Sequence, residues 1–217
     1  MKRLVLFSIA MVACVSLPLA AQSQTTHKEA QKELKSRVIK DAKNQAKDYE
    51  KQGWRTMAGG LTLERQLEKS NIAIIEEDDK GEKVWVVAQH RAIGGNYSAA
   101  KLIATTRAKA ELASSIEDKV KQKTYSKLSS KNLGEGEVKL IDETIEAIMS
   151  EIDTTIKGTD IVLEIYKTLD GGKYEVMVSM AANYEATKAE VDKKLVERLN
   201  KSTMSRAKEV VELIRLK

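Results

Sequence analysis

Cysteine, proline and phenylalanine occur once each, as Cys14, Pro18 and Phe7, and histidine twice, as His27 and His90. A chain cut beyond this region has no thiol, so it forms no disulfide and holds no Cys-ligated metal, although export would permit disulfides. Two histidines with no HExxH pattern and no cysteine neighbours supply neither a zinc site nor a hydrolytic triad, and His90, at strand spacing between Gln89 and Arg91, reads as a structural or surface residue. Glycine is sparse where a phosphate loop would need it. Gly134 to Glu137 has no third glycine, and Gly171-Gly172-Lys173 lacks the upstream Gly and the following Ser or Thr. The sequence therefore nominates no catalytic, cofactor-binding or metal-binding residue and implies no cofactor. With Trp54, Trp85 and six tyrosines as the aromatic complement beyond Phe7, the core is expected to be mainly aliphatic.

Charge is abundant but of both signs. Lys and Arg are mixed with Glu and Asp throughout, and no basic stripe interleaved with aromatics exists, so nucleic acid is not expected as a partner. The acidic run Glu76-Glu77-Asp78-Asp79 does not place oxygens at the alternating positions of an EF-hand loop and reads as a solvated turn.

What is present begins with a signal. Lys2 and Arg3 precede the apolar run LVLFSIAMVACVSLPLA and the small, polar AAQSQTT, the layout of a secretory signal peptide over residues 1–23, cut after Ala21 or Ser23. An uncleaved anchor is the weaker reading because Pro18 and the small residues after it suit a cleavage site. Lipidation at Cys14 is disfavoured, since a mature chain beginning there would continue with apolar VSLPLAA. Loss of Lys2 and Arg3 lowers the net charge from +5 to +3. No second apolar run of the ~20 residues that span a bilayer follows, so no transmembrane segment is expected in the mature chain. Localisation is expected to be periplasmic or secreted, with outer-membrane association open.

Residues 24–60 are read as an N-terminal helix and a Gly-containing connector, the helix carrying Ala30, Leu34, Val38, Ala42 and Ala46 at i+4 steps. Residues 61–183 are read as the core domain. A short helix from Leu61 turns Leu63 and Leu67 inward. The stretch from Asn71 to Gly95 reads as a hairpin around DDKG, and Ile161 to Met180 as a second hairpin reversed at Asp170-Gly171-Gly172, where glycine tolerates a positive φ. Between them Ala104, Ala108, Leu112, Ile116 and Val120 form an i+4 ridge, small at its start and large farther on. Val138, Ile141, Ile145, Ile148, Ile152 and Ile156 mark another amphipathic helix, and the two are expected to pair antiparallel on one face of the sheet. Residues 184–217 read as a helical arm interrupted between Asn200 and Thr203. Its apolar residues, Leu195, Val196, Leu199, Val210, Val211 and Ile214 among them, suit a partner-facing or self-associating arm or docking on residues 27–51; a membrane-surface role ranks third. The expected fold is α+β: two hairpins in one antiparallel or mixed sheet, packed by two central helices, with long terminal helices.

The segments SAAKLIATTRAKAELASSIEDKV and GTDIVLEIYKTLDGGKYEVMVSM, in that order over residues 70–185, resemble the Lpp-twenty surface lipoprotein family and its envelope relatives. There, an alanine-rich helix of A-R-A-x-L-A type precedes a hairpin with Asp-Gly at its turn and Tyr-x-Val-x-Val after it. GWRTMAGGLTLERQLEKS is similar to the opening of secreted relatives without the lipid. The resemblance implies a bacterial source, in which the glycosylation patterns at Asn96 and Asn200 carry no meaning. It also implies an exported, non-catalytic envelope protein with a structural or adaptor role, meeting an envelope protein or itself through amphipathic helices. The alternative is a periplasmic or secreted binding domain for a small apolar ligand or lipid. A dry helix–sheet interface would support the first and an apolar pocket of roughly 300 Å³ or more the second.

Overall fold

The computed structural model describes residues 19–129, 133–151, 155–202 and 207–215. Most of the expected signal peptide, with Cys14, and the expected apolar position Ile152 lie outside them. The described elements are α1 (Leu19–Lys51), α2 (Leu63–Ile75), β1 (Trp85–Gly94), α3 (Tyr97–Leu128), α4 (Glu135–Met149), β2 (Asp160–Thr168), β3 (Tyr174–Asn183), α5 (Tyr184–Asn200) and α6 (Ala207–Arg215). The fold is α+β, with one antiparallel three-stranded sheet in the order β1-β3-β2.

Local chemistry sets several boundaries. The side chains of Thr62, Asn96 and Asn183 accept the backbone N–H groups of Arg65, Ala99 and Ala186, capping α2, α3 and α5. Gly171 at φ 73° and Gly172 at φ 71° turn β2 into β3, as the glycine pair predicts. At the end of β1 the chain passes so close to α3 that a Cβ on Gly94 would sit 2.6 Å from the amide nitrogen of Ala100.

One face of the sheet is covered by α3, which lies across β1 and β3 alike. Its ridge runs Ala100, Ala104, Ala108, Leu112, Ile116, Val120, all fully buried, and joins Val86, Ala88, Ala92, Val176, Val178, Met180 and Ala182 in the main core. Small meets small at the start of the ridge, where Ala88 and Ala92 face the sheet's own side of the contact. The other face is covered by α2 and the C-terminal half of α1. Ala42, Ala46, Leu63 and Leu67 pack with Trp54 on Leu163, Ile165 and Met177.

Three expectations need correction. The segment from Asn71 to Ile75 is the end of α2 and not a strand; the expected first hairpin is reduced to a single bridge, Glu77 to Lys83, around a turn. The helix pair does not share a sheet face: α3 alone contacts the sheet extensively, while α4 packs on α3 and α5 in a layer behind it. The apolar faces of α5 and α6 do not dock on residues 27–51. Val191, Leu195, Leu199, Val210, Val211 and Ile214 are buried in the main core, with α5 against α4 and α3, and α6 against α5 and α3.

Candidate functional site: an apolar groove beside α2

Along α2 the residues facing the sheet shrink. Leu63 and Leu67 fill their space; a turn and a half farther on the helix presents Ala73, opposite Ala181 of β3. The sheet adds an irregularity at the same place. A bulge between Ile161 and Leu163 takes Val162 out of register, so Val162 and Leu163 both turn towards the α2 side and Ile161 goes to the other face. Small residues above and below a bulged strand leave a gap, with Trp85 and Ile72 as its walls. The result is an open groove of about 370 Å³, at the lower end of the roughly 300–1,000 Å³ typical of ligand sites.

Its rim is charged and paired. Lys69 of α2 bridges to Asp160 at the start of β2, and the Arg65 guanidinium lies 2.7 Å from the Glu68 carboxylate. At the far end Glu76 accepts hydrogen bonds from Lys35 Nζ at 2.7 Å and from the Trp85 indole N–H at 2.9 Å. The bond from Lys35, then that from Trp85, hold the Glu76 carboxyl below its ordinary range. The same pair of bonds fixes the indole as a wall and ties α1, α2 and β1 together.

A second depression, about 490 Å³, lies between α1, α2 and β1, but its lining is mostly amides and charges, Gln45, Asp48, Gln52, Asn71 and Gln89 among them. Size alone does not make it the better site, because a polar, open hollow loses little water on binding.

The residues weighed in the sequence fall elsewhere. His90 sits on β1 under α3, with Nε2 3.4 Å from Arg107 Nη1 and Nδ1 4.0 Å from Glu111. The acidic run leads into a turn that is exposed at Asp79, Lys80 and Gly81, and its carboxylates are held by local bonds. Asp78 Oδ1 accepts the backbone N–H groups of Lys80 and Glu82, which depress its pKa, the Glu82 bond foremost, while Lys28 lies 3.4 Å from Asp79 and Lys83 2.7 Å from Glu77. Among the described residues no group of three His, Cys, Asp or Glu side chains is placed to hold a metal ion, and no helix is long and apolar enough to cross a membrane. Comparison with family models, with curated proteins and with solved structures returns no match for this chain.

The groove was invisible to sequence reasoning. Only Trp85, an aromatic at the start of a strand nine residues after Glu76, could have signalled a polar-tipped aromatic wall.

Proposed function

We propose that the protein is an exported, non-catalytic binding module of the cell envelope that takes a single acyl chain, as in a fatty acid or lysolipid, into the groove beside α2. The observation that carries this reading is the groove itself, with an apolar floor of Ala73, Val162 and Ala181, a fixed indole wall, and charged lining residues that are each held in an ion pair. Lys69 stands where a carboxylate or phosphate head would emerge and can exchange Asp160 for the head at small cost because that ion pair is exposed on both sides, whereas Arg65 stays with the nearly buried Glu68 carboxylate. Export and envelope location rest on the amino-terminal sequence and on the Lpp-twenty resemblance alone.

The adaptor reading loses support on one point: it relied on a helical arm presented to partners, and the apolar faces of α5 and α6 are buried within the molecule.

Calorimetric titration with dodecanoate tests the proposal. Saturable one-to-one binding is expected, with Kd in about the micromolar range, or ~8 kcal/mol. Ala73→Leu, which places three more carbons over the floor, should weaken it at least tenfold with the melting temperature retained. Absence of saturable binding, or equal binding by the folded Ala73→Leu variant, would overturn it.

A further inference from the structure

The two edges of the sheet are treated differently. On β2, the outer edge is closed by the connector after α1: Arg55 N–H donates to Tyr166 O at 2.7 Å, and Tyr166 N–H to Arg55 O at 2.9 Å. On β1, no strand among the described residues pairs along the outer side. Tyr184 N–H donates to Val84 O, so in the alternation of an antiparallel ladder the even-numbered residues of β1 address β3 and Val87, Gln89, Arg91 and Ile93 address the open side. Before Trp85 that side is occupied by the Glu77–Lys83 bridge, and after Gly94 the strand ends. The open stretch therefore runs from Trp85 to Gly94, with Gln89 and His90 at its centre. Such an edge templates another strand unless something covers it.

We infer that the open edge of β1 pairs antiparallel with β1 of a second copy of this chain, about a two-fold axis through His90, to form a dimer with a continuous six-stranded sheet. Three features favour this occupant. The register sets Val87 against Ile93 of the second copy, covering an isoleucine that is 56% exposed in the single chain, and Gln89 against Arg91 rather than Arg91 against itself. The spacing fits: α3 straddles β1 and β3, so with strands about 4.8 Å apart the two α3 axes would lie about 10 Å apart, the separation of packed helices. The charges match. Arg107 and Glu111 flank His90 from α3, one turn apart, and the two-fold reverses their order in the second copy, placing each arginine beside the other copy's glutamate. A self-complementary surface of this kind is what an isologous interface requires.

Sedimentation of the full chain across a concentration series reads the mass. A dimer is expected, weakened at least tenfold in Kd by Arg107→Glu, which sets like charges across the axis, and restored by combining it with Glu111→Arg. In a Cys14→Ser background, His90→Cys should form a disulfide-linked dimer on mild oxidation, because residues facing each other at a non-hydrogen-bonded antiparallel position stand about 4.5 Å apart at Cα. A monomer at all concentrations overturns the inference. So does a dimer that ignores the charge reversal and gives no cross-link at position 90, since its interface lies elsewhere.

Discussion

Gly171 and Glu76 show how single residues hold the frame, one at the hairpin turn away from the groove and the other at the groove's edge. Gly171 is in the left-handed region at φ 73°, with Gly172 beside it at 71°, and no atom stands near the space a Cβ would occupy at either. The cost of substitution there is conformational and not steric. Gly171→Val and Gly172→Val are each expected to destabilise the protein by about 1–2 kcal/mol, read as a lowered denaturation midpoint; unchanged midpoints in both would refute the turn geometry. Glu76 works through charge. A carboxyl whose folded pKa lies below its ordinary 4.5 adds stability that is fully present above that value and is lost as the pH falls through the folded pKa. Glu76→Gln should therefore lower stability at neutral pH by about 1 kcal/mol, a charge-assisted bond discounted for partial exposure. The difference from the parent should shrink in acid below pH 4.5, and Trp85 emission should shift with it. A difference that persists unchanged at low pH would show that the Lys35 and Trp85 contacts do not depend on ionisation.

At the scale of elements, the sequence was most legible where one periodicity ran without competition. The i+4 ridge of α3 and the alternation through β3 each match only one structure, and the ridge's step from alanine to larger residues reports how closely the helix lies on the sheet. The run Ile72-Ala73-Ile74-Ile75 was not legible. Four consecutive apolar residues satisfy a strand and a helix equally, and here the helix begun at the Thr62 cap continues through them, leaving Ile74 52% exposed and Ala73 buried. The bulge at Val162 was hidden as well, since regular alternation puts Ile161, Leu163 and Ile165 on one face. The C-terminal helices were read correctly as amphipathic, but an apolar stripe does not name its partner. With Leu195 and Leu199 both fully buried beside α3 and α4, changing the two together to Ser should cost more than about 4 kcal/mol, taking ~2 or more for each lost leucine. Loss of cooperative thermal unfolding is the expected readout; an intact transition would mean that α5 is peripheral to the core.

The groove belongs to the whole molecule, and this is why no window of sequence announced it. Its floor joins Ala73, Val162 and Ala181, which are far apart along the chain, and its wall is held by Lys35 reaching across from α1. Alanine at a helix position reads as ordinary packing until the residue opposite is also alanine. The most direct measurement is photo-crosslinking of the full chain with a diazirine-bearing dodecanoate, followed by peptide mapping. Binding beside α2 predicts adducts on the peptides containing Ile72, Ala73, Trp85, Val162 and Ala181, competed away by unlabelled dodecanoate. Adducts spread over the surface, or concentrated on α4 and α5 and indifferent to competition, would contradict it.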